Sequence, residues 1–415
     1  MIDITKLYCA TDTTGDPLRY GVKNGESHGH PHPTEHKSHE VPKSALERRP
    51  VVVWNMTRRC NLACIHCYTD SSSRDYPDEL TTEEAKLMLK DLADFRVPAV
   101  LFSGGEPLLR HDFFEVAEYA AGLGLRLTLS TNGTTITLPV AQRLKDTGFS
   151  YVGISLDGIG PTNDVFRGKT GAFDWAVRGI KNCMKVGQKV GLRLTLTRHN
   201  VEDLDGIFDF IEEAGIQRAC FYHLVYSGRG RGISSDDLTH SETRSALDTI
   251  LRRTEDFTRR GLHKDILTVD NHVDGVYLYL KLLDKDTEIA KDVRRLLEWN
   301  GGGANSSGVG IANIDFLGEV HADQFWQDYS FGNVKNRPFS EIWMDTTDPL
   351  MSGLKNRTPL LKGRCASCQF LKMCGGSFRV RALRVYNDPW APDPACYLSD
   401  EEVGIQPTET LLTSP

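Results

Sequence analysis

Between residues 50 and 225 short β-rich runs alternate with amphipathic helical segments, and this alternation limits the fold more than any other feature. The runs are VVVWNM (51–56), AVLFS (99–103), LRLTLST (125–131), YVGISL (151–156), VGLRLTLT (190–197) and ACFYHLV (219–225). Helical patterns lie between them, such as TTEEAKLMLKDLADF with Thr81 or Thr82 as N-cap and acids in its first turn. The segments FFEVAEYAAGLG and VEDLDGIFDFIEEAG end at glycine, a common helix stop. Six β/α units predict parallel strands with right-handed crossovers. Six is short of the eight that close a barrel, so the expected fold is α/β, a partial (β/α)6 barrel. In such a barrel the chemistry sits at the C-terminal ends of the strands.

Around this unit the pattern changes. Residues 1–49 form an N-terminal extension, of which 22–49 are polar and carry His28, His30, His32, His36 and His39. This stretch reads as a solvated connector, or as a transition-metal site without fixed geometry. Residues 50–235 are expected to form the barrel, 236–305 a charged helical connection, and 306–415 a second, loop-rich domain. The second domain opens on a hairpin that turns near Gly318.

The ten cysteines are clustered: Cys60, Cys64 and Cys67 follow the first strand, and Cys365, Cys368, Cys374 and Cys396 lie near the C-terminus. A chain of 415 residues does not need disulfide staples, so this clustering points to metal or redox chemistry. Cys9, Cys183 and Cys220 read as free thiols, the last two as small hydrophobes in a helix and a strand. A net charge of −7 argues against nucleic-acid and anionic-membrane partners. There is neither a signal-peptide pattern nor an 18-residue apolar run, so a cytoplasmic location is expected.

A C-x3-C-x2-C triplet fits a closed four-ligand zinc site poorly. Three thiolates on one loop instead suit a [4Fe-4S] cube with one iron left open for a ligand. The triplet, read CNLACIHC with His66 at the aromatic position, resembles the motif of the radical SAM superfamily. The resemblance implies S-adenosylmethionine on the open iron and hydrogen abstraction by a 5′-deoxyadenosyl radical. It places SGGEP (103–107) near the methionyl amino group, with Gly104 and Gly105 allowing close backbone approach and Glu106 supplying a carboxylate. Asn132 ends the third strand. Ser155 and Asp157 are expected near the ribose and methionine, and Arg193 near the methionyl carboxylate. Taken singly, each has a plainer reading as a turn residue at a strand end.

The C-x2-C-x5-C-x21-C group can close a zinc ribbon or a fully ligated [4Fe-4S] cluster. The segment resembles the SPASM/Twitch extension that carries auxiliary clusters in this superfamily. Asp323 stands where two-cluster versions have a cysteine, which predicts one auxiliary cluster here.

Three stretches, RRPVVVWNMTRRCNLACIHCYTD, CGGSFRVRAL and DPWAPDPACYL, look like the heme-biosynthesis branch acting on didecarboxysiroheme. The opening ITKLYCATDTTGDPLRYG is similar to its acetate-removing members. That implies loss of two acetate side chains from 12,18-didecarboxysiroheme to give Fe-coproporphyrin III. The oxo-forming heme d1 branch and SPASM-type peptide modification are the alternatives. A reduced flavodoxin- or ferredoxin-type protein is the implied electron donor. For the polycarboxylate macrocycle, Arg229, Arg231, Arg379, Arg381 and Arg384 are candidate carboxylate partners, each equally readable as a surface arginine. Tyr222, His223 and Tyr226 are candidates for the pocket or the substrate iron, with His321 a weaker one. A hydrogen-bonded structural role is the plainer reading of His223.

Overall fold

The structure is a computed structural model that describes residues 1–12, 19–20 and 45–405; the His-rich segment lies outside these. Ten strands form one sheet: β1 (Ile2–Asp3), β2 (Val51–Asn55), β3 (Val100–Ser103), β4 (Leu127–Thr131), β5 (Tyr151–Ser155), β6 (Val190–Leu196), β7 (Arg218–His223), β8 (Asp265–Val269), β9 (Ile311–Ile314) and β10 (Val320–His321). Their spatial order is β1-β8-β7-β6-β5-β4-β3-β2-β9-β10. The six expected strands are present as β2 to β7, parallel and adjacent in chain order.

The sheet extends beyond these six strands. Its parallel part has eight strands, because β8 joins β7 and β9 joins β2. Residues 236–305 therefore contribute a strand as well as the helices His240–Arg259, Val273–Leu283 and Thr287–Asn300. The hairpin turning at Gly318 (φ 92°) belongs to the same sheet, so the segment from 306 begins by extending the barrel wall. At the other edge β1 pairs antiparallel with β8.

Strand alternation divides the chemistry. Val52, Trp54, Phe102, Leu127, Leu129, Val152 and Ile154 are buried in the main core with helix residues such as Phe113 and Ala141. Trp54 and Phe102 meet edge to face at 5.3 Å, and Phe113 stacks on Phe149. The alternate positions Val53, Leu101, Ser103, Ser130, Ser155, Arg193 and Tyr222 face an internal cleft. The helix Thr82–Asp94 starts at a capping box in which the Glu84 backbone N–H donates to Thr81 and the Thr81 N–H donates to Glu84.

Candidate active site: a cysteine-lined cleft and a second cysteine cavity

The loop after β2 carries Cys60, Cys64 and Cys67, and the loop after β3 holds it in place. Gly105 N–H donates to Thr57 O (2.7 Å) and Glu106 N–H to Arg59 O (2.8 Å). A Cβ on Gly104 would stand 2.4 Å from Thr57 O, and one on Gly105 2.2 Å from Arg59 O. These glycines therefore admit the backbone of the cysteine loop itself. Glu79 secures the same loop by accepting from the Arg58 N–H at 2.7 Å and the Thr57 hydroxyl at 3.0 Å.

Donors surround the three sulfurs. Leu62 N–H (3.4 Å) and Asn132 Nδ2 (3.9 Å) approach Cys60 Sγ, Arg167 Nη1 approaches Cys64 Sγ (3.6 Å), and Ser71 N–H approaches Cys67 Sγ (3.4 Å). Burial pushes the Cys60 thiol up to about 12 and raises Cys64 as well. Such thiols become thiolates by exchanging a proton for metal, and the aimed donors suit the sulfur charge of a ligated cluster. The residues present fit a [4Fe-4S] cluster held on three cysteines.

All three cysteines open into one cleft of about 1060 Å³, which includes open solvent. Gly104, Gly105, Asn132, Ser155, Asp157, Arg193, Tyr222, His223 and Arg229 line it too. Arg193 lies 4.6 Å over the Tyr222 ring and forms no ion pair among the described residues, so its guanidinium can take an anionic ligand. Asp157 accepts from Thr195 N–H (2.6 Å), pairs with Arg167 and stands 3.8 Å from His66 Nε2. It is thereby tied to the cysteine loop as well as facing the cleft.

Other expected residues are placed differently. Glu106 is fully buried and does not line the cleft; its oxygens accept from the Thr131 hydroxyl (2.7 Å), Asn132 N–H (2.7 Å) and Leu108 N–H (3.2 Å). It fastens the ends of β3 and β4 to each other. Arg229 braces the cysteine loop, donating to Cys64 O (2.9 Å), Ser71 O (2.8 Å) and Asp70 Oδ1 (3.0 Å), while its Nη2 has no partner among the described residues. Arg379 is buried among the carbonyls of Gly376, Pro389 and Ala391, and Arg381 is buried against Asp393. Neither is free for substrate, because a buried guanidinium holds its partners to avoid stranding a charge. Arg231 and Arg384 share Asp328. Tyr226 donates to Asp237 (2.7 Å) and does not line the cleft.

His223 lines the cleft, but its Nε2 is 2.8 Å from Asp274, whose other oxygen accepts from the Tyr397 hydroxyl (2.8 Å). Burial opposes charge on this imidazole, yet Asp274 raises its pKa overall. His321 is buried with Nδ1 2.7 Å from Tyr329 O. Both histidines are held by hydrogen bonds within the fold.

Tyr68, Arg167, Asp270, Gln324 and Phe325 also line the cleft, though sequence reasoning did not single them out. Tyr68 bonds to Asn55 and Ser103, each at 3.0 Å, and meets Phe325 edge to face at 5.4 Å. Adjacency to Cys67 and to Asp323 was the available hint for Tyr68, Gln324 and Phe325.

The second cysteine group surrounds a separate cavity of about 440 Å³. Cys365, Cys368, Cys374 and Cys396 line it with apolar neighbours including Val273, Val276, Phe370 and Leu371. Phe370 N–H points at Cys368 Sγ (3.4 Å), and burial raises Cys374 and takes Cys396 up to about 11. Four thiols around a cavity suit a polynuclear cluster better than one zinc. Asp323 is buried and engaged with Ser307 and Phe325 N–H (2.8 Å).

A family model described as the radical SAM superfamily matches residues 54–211. Over 407 residues the chain is 53% identical to Fe-coproporphyrin III synthase of Methanosarcina barkeri, covering 97% of this chain and 99% of that one. The chain belongs to the radical SAM superfamily. It is also 46% identical over 359 residues to pre-heme d1 synthase of Dinoroseobacter shibae, 86% of this chain and 88% of that one. Among solved structures, Streptococcus suis SuiB bound to precursor peptide SuiA aligns with TM-score 0.67 at 20% identity, over 85% of this chain and 76% of that one. That likeness is one of fold. The cofactors of this radical SAM enzyme are a [4Fe-4S] cluster and S-adenosylmethionine.

Proposed function

We propose that the enzyme removes two acetate side chains from 12,18-didecarboxysiroheme to form Fe-coproporphyrin III in heme biosynthesis. The carrying observation is the 53% identity over nearly the full length of both chains to an Fe-coproporphyrin III synthase, against 46% over a shorter stretch for the heme d1 relative. When bound, the cluster and S-adenosylmethionine supply a radical that abstracts hydrogen from an unactivated carbon.

The chain's residues supply the rest. Cys60, Cys64 and Cys67 hold the cluster at the strand ends, and Gly104, Gly105, Asn132, Ser155 and Asp157 form the wall that receives the cosubstrate. Arg193 meets a carboxylate of the cosubstrate or the macrocycle. Tyr222, Tyr68 and Phe325 offer aromatic surface to a flat ligand. Cys365, Cys368, Cys374 and Cys396 hold the auxiliary cluster. The electron donor is a reduced flavodoxin- or ferredoxin-type protein, and the reaction belongs in the cytoplasm. No helix of the described residues is long and apolar enough to cross a membrane.

Mass spectrometry of the product tests this reading. Anaerobically reconstituted enzyme receives S-adenosylmethionine, a strong reductant and didecarboxysiroheme. Loss of both acetate groups is expected. Loss of propionates with gain of oxygen moves the protein to the heme d1 branch, and an untouched macrocycle refutes the substrate.

A further inference from the structure

Asp270 occupies an unusual position in the cleft. It follows β8 directly, with φ at +66°, a left-handed conformation uncommon for a side-chain-bearing residue. Val269, before it, packs with Cys220, Leu267 and Tyr222 on the inner face of β7 and β8. Continued alternation would turn residue 270 away from that face. The left-handed turn brings it back, and Asp270 lines the same cleft as Tyr222, Arg193 and the three cysteines.

The turn is held from outside. Arg381 Nη2 donates to the Asp270 carbonyl at 2.6 Å, and the next residue, Asn271, donates to Ala395 O at 3.0 Å and accepts from Val273 N–H. The carboxylate itself has no hydrogen bond or ion pair among the described residues, although Asp270 is only 7% exposed. A left-handed turn that aims a nearly buried carboxyl without a protein partner into a cleft is a common mark of function.

Resting on the function proposed above, we infer that Asp270 is the proton donor to the departing acetate. Each removed side chain is a CH2–COO⁻ unit that must gain one hydrogen to leave as acetate. Removal of a hydrogen atom from the ring carbon beside the acetate-bearing one allows the ring–CH2 bond to break, forming a ring C=C bond and a •CH2–COO⁻ fragment. The fragment can recombine with the ring until one electron from a reduced iron–sulfur centre and one proton from Asp270 trap it as CH3–COO⁻, so loss of the proton donor slows formation of the ring product. Solvent then returns the proton to Asp270. Per side chain the macrocycle loses H and CH2–COO⁻, deoxyadenosine gains the H, and one electron and one proton are consumed.

The surroundings suit an acid. Burial holds the Asp270 carboxyl up at about 6, against the opposing pull of Arg381, the Met1 amino group and Arg193, with Asp323 reinforcing the rise. These groups reach it from β6, the region before β1, the helix Arg379–Tyr386 and the loop after β10, and the Tyr222 and Tyr68 phenols also interact with it. A carboxyl poised near neutrality is protonated often enough to donate.

The test is turnover in D2O, with the acetate and the macrocycle analysed by mass spectrometry. Asp270→Asn is the variant of choice because asparagine tolerates the left-handed backbone. The wild-type enzyme should release acetate with one solvent deuterium in its methyl group. Asp270→Asn should form Fe-coproporphyrin III at least about 100-fold more slowly while still producing deoxyadenosine, which reports an intact S-adenosylmethionine site. Wild-type acetate without solvent deuterium would overturn the proposal whatever the variant does. So would an Asp270→Asn enzyme that makes Fe-coproporphyrin III at the wild-type rate; in both cases the deacetylase reading survives. A wild-type reaction that leaves the macrocycle untouched overturns the reading of function and the proton donor together.

Discussion

Arg381 and Asp393 form a buried bidentate ion pair, with Nε and Nη2 each 3.0 Å from a carboxylate oxygen. The pair lies between the two cavities. Asp393 lines the one enclosed by the four C-terminal cysteines. Arg381 also donates to Leu224 O at 3.3 Å and Asp270 O at 2.6 Å, and both of those residues line the active-site cleft. Against the pull of burial, Arg381, with help from Arg379 and the Phe378 N–H, holds the Asp393 carboxyl down at about 2.

Removing one partner of this pair leaves the other charge stranded. Asp393→Ala is expected to cost about 3–5 kcal/mol in urea unfolding of the reconstituted enzyme. Arg381→Met combined with Asp393→Leu is expected to cost less than the single change. A single variant as stable as wild type would show that the pair does not join the two halves of the site.

The glycines of SGGEP make a sharper prediction. Gly105→Ala places a methyl group 2.2 Å from Arg59 O. The cysteine loop must then move, at a stability cost of about 1–3 kcal/mol. Deoxyadenosine formation should fall far more steeply than global stability. Normal S-adenosylmethionine cleavage in this variant would mean that the backbone contact is dispensable.

The β/α rhythm made β2 to β7 legible because each strand is a compact apolar run between helical patterns. β8, DILTV, is five residues set in a charged helical stretch, where periodicity favours helix. The place of β9 beside β2 rests on a pairing between residues some 260 positions apart, which no local pattern encodes. The cysteines carried their own chemistry in their spacing. The arginines did not: Arg379 and Arg381 alternate as exposed cations do, and only tertiary partners such as Asp393, Leu224 and Ala391 reveal them as buried. Arg167 was missed for the same reason, since its partner Cys64 comes from the loop after β2 and Asp157 from the turn before its own helix.

Cys60→Ala and Cys365→Ala should separate the two cysteine sets. The first is expected to abolish deoxyadenosine formation while leaving iron and sulfide at the auxiliary cavity. The second should keep some deoxyadenosine formation and lose turnover of the macrocycle. Iron content and electron paramagnetic resonance of the reduced proteins check both. Persistent S-adenosylmethionine cleavage in a variant lacking Cys60, Cys64 and Cys67 would refute the assignment.

Asp323 predicts a pH dependence. Burial raises its carboxyl to about 6, only partly offset by Ser307 and the Phe325 N–H. The folded state therefore holds this proton longer than the unfolded chain, so stability is fully present below about 4 and falls as pH rises towards 6. The shift corresponds to about 3 kcal/mol. Asp323→Asn should remove that part of the decline in urea titrations between pH 4 and 7, with the Asp270 contribution left in place. An unchanged slope would place the ionised carboxylate comfortably in the fold.

The most direct measurement follows hydrogen from the macrocycle to the cosubstrate. Didecarboxysiroheme deuterated at the ring carbons beside the acetate-bearing ones is turned over anaerobically, and the 5′-deoxyadenosine is weighed by mass spectrometry. The proposed ring–CH2 cleavage predicts deoxyadenosine heavier by one deuterium, formed together with Fe-coproporphyrin III. Unlabelled deoxyadenosine alongside a converted macrocycle would contradict it.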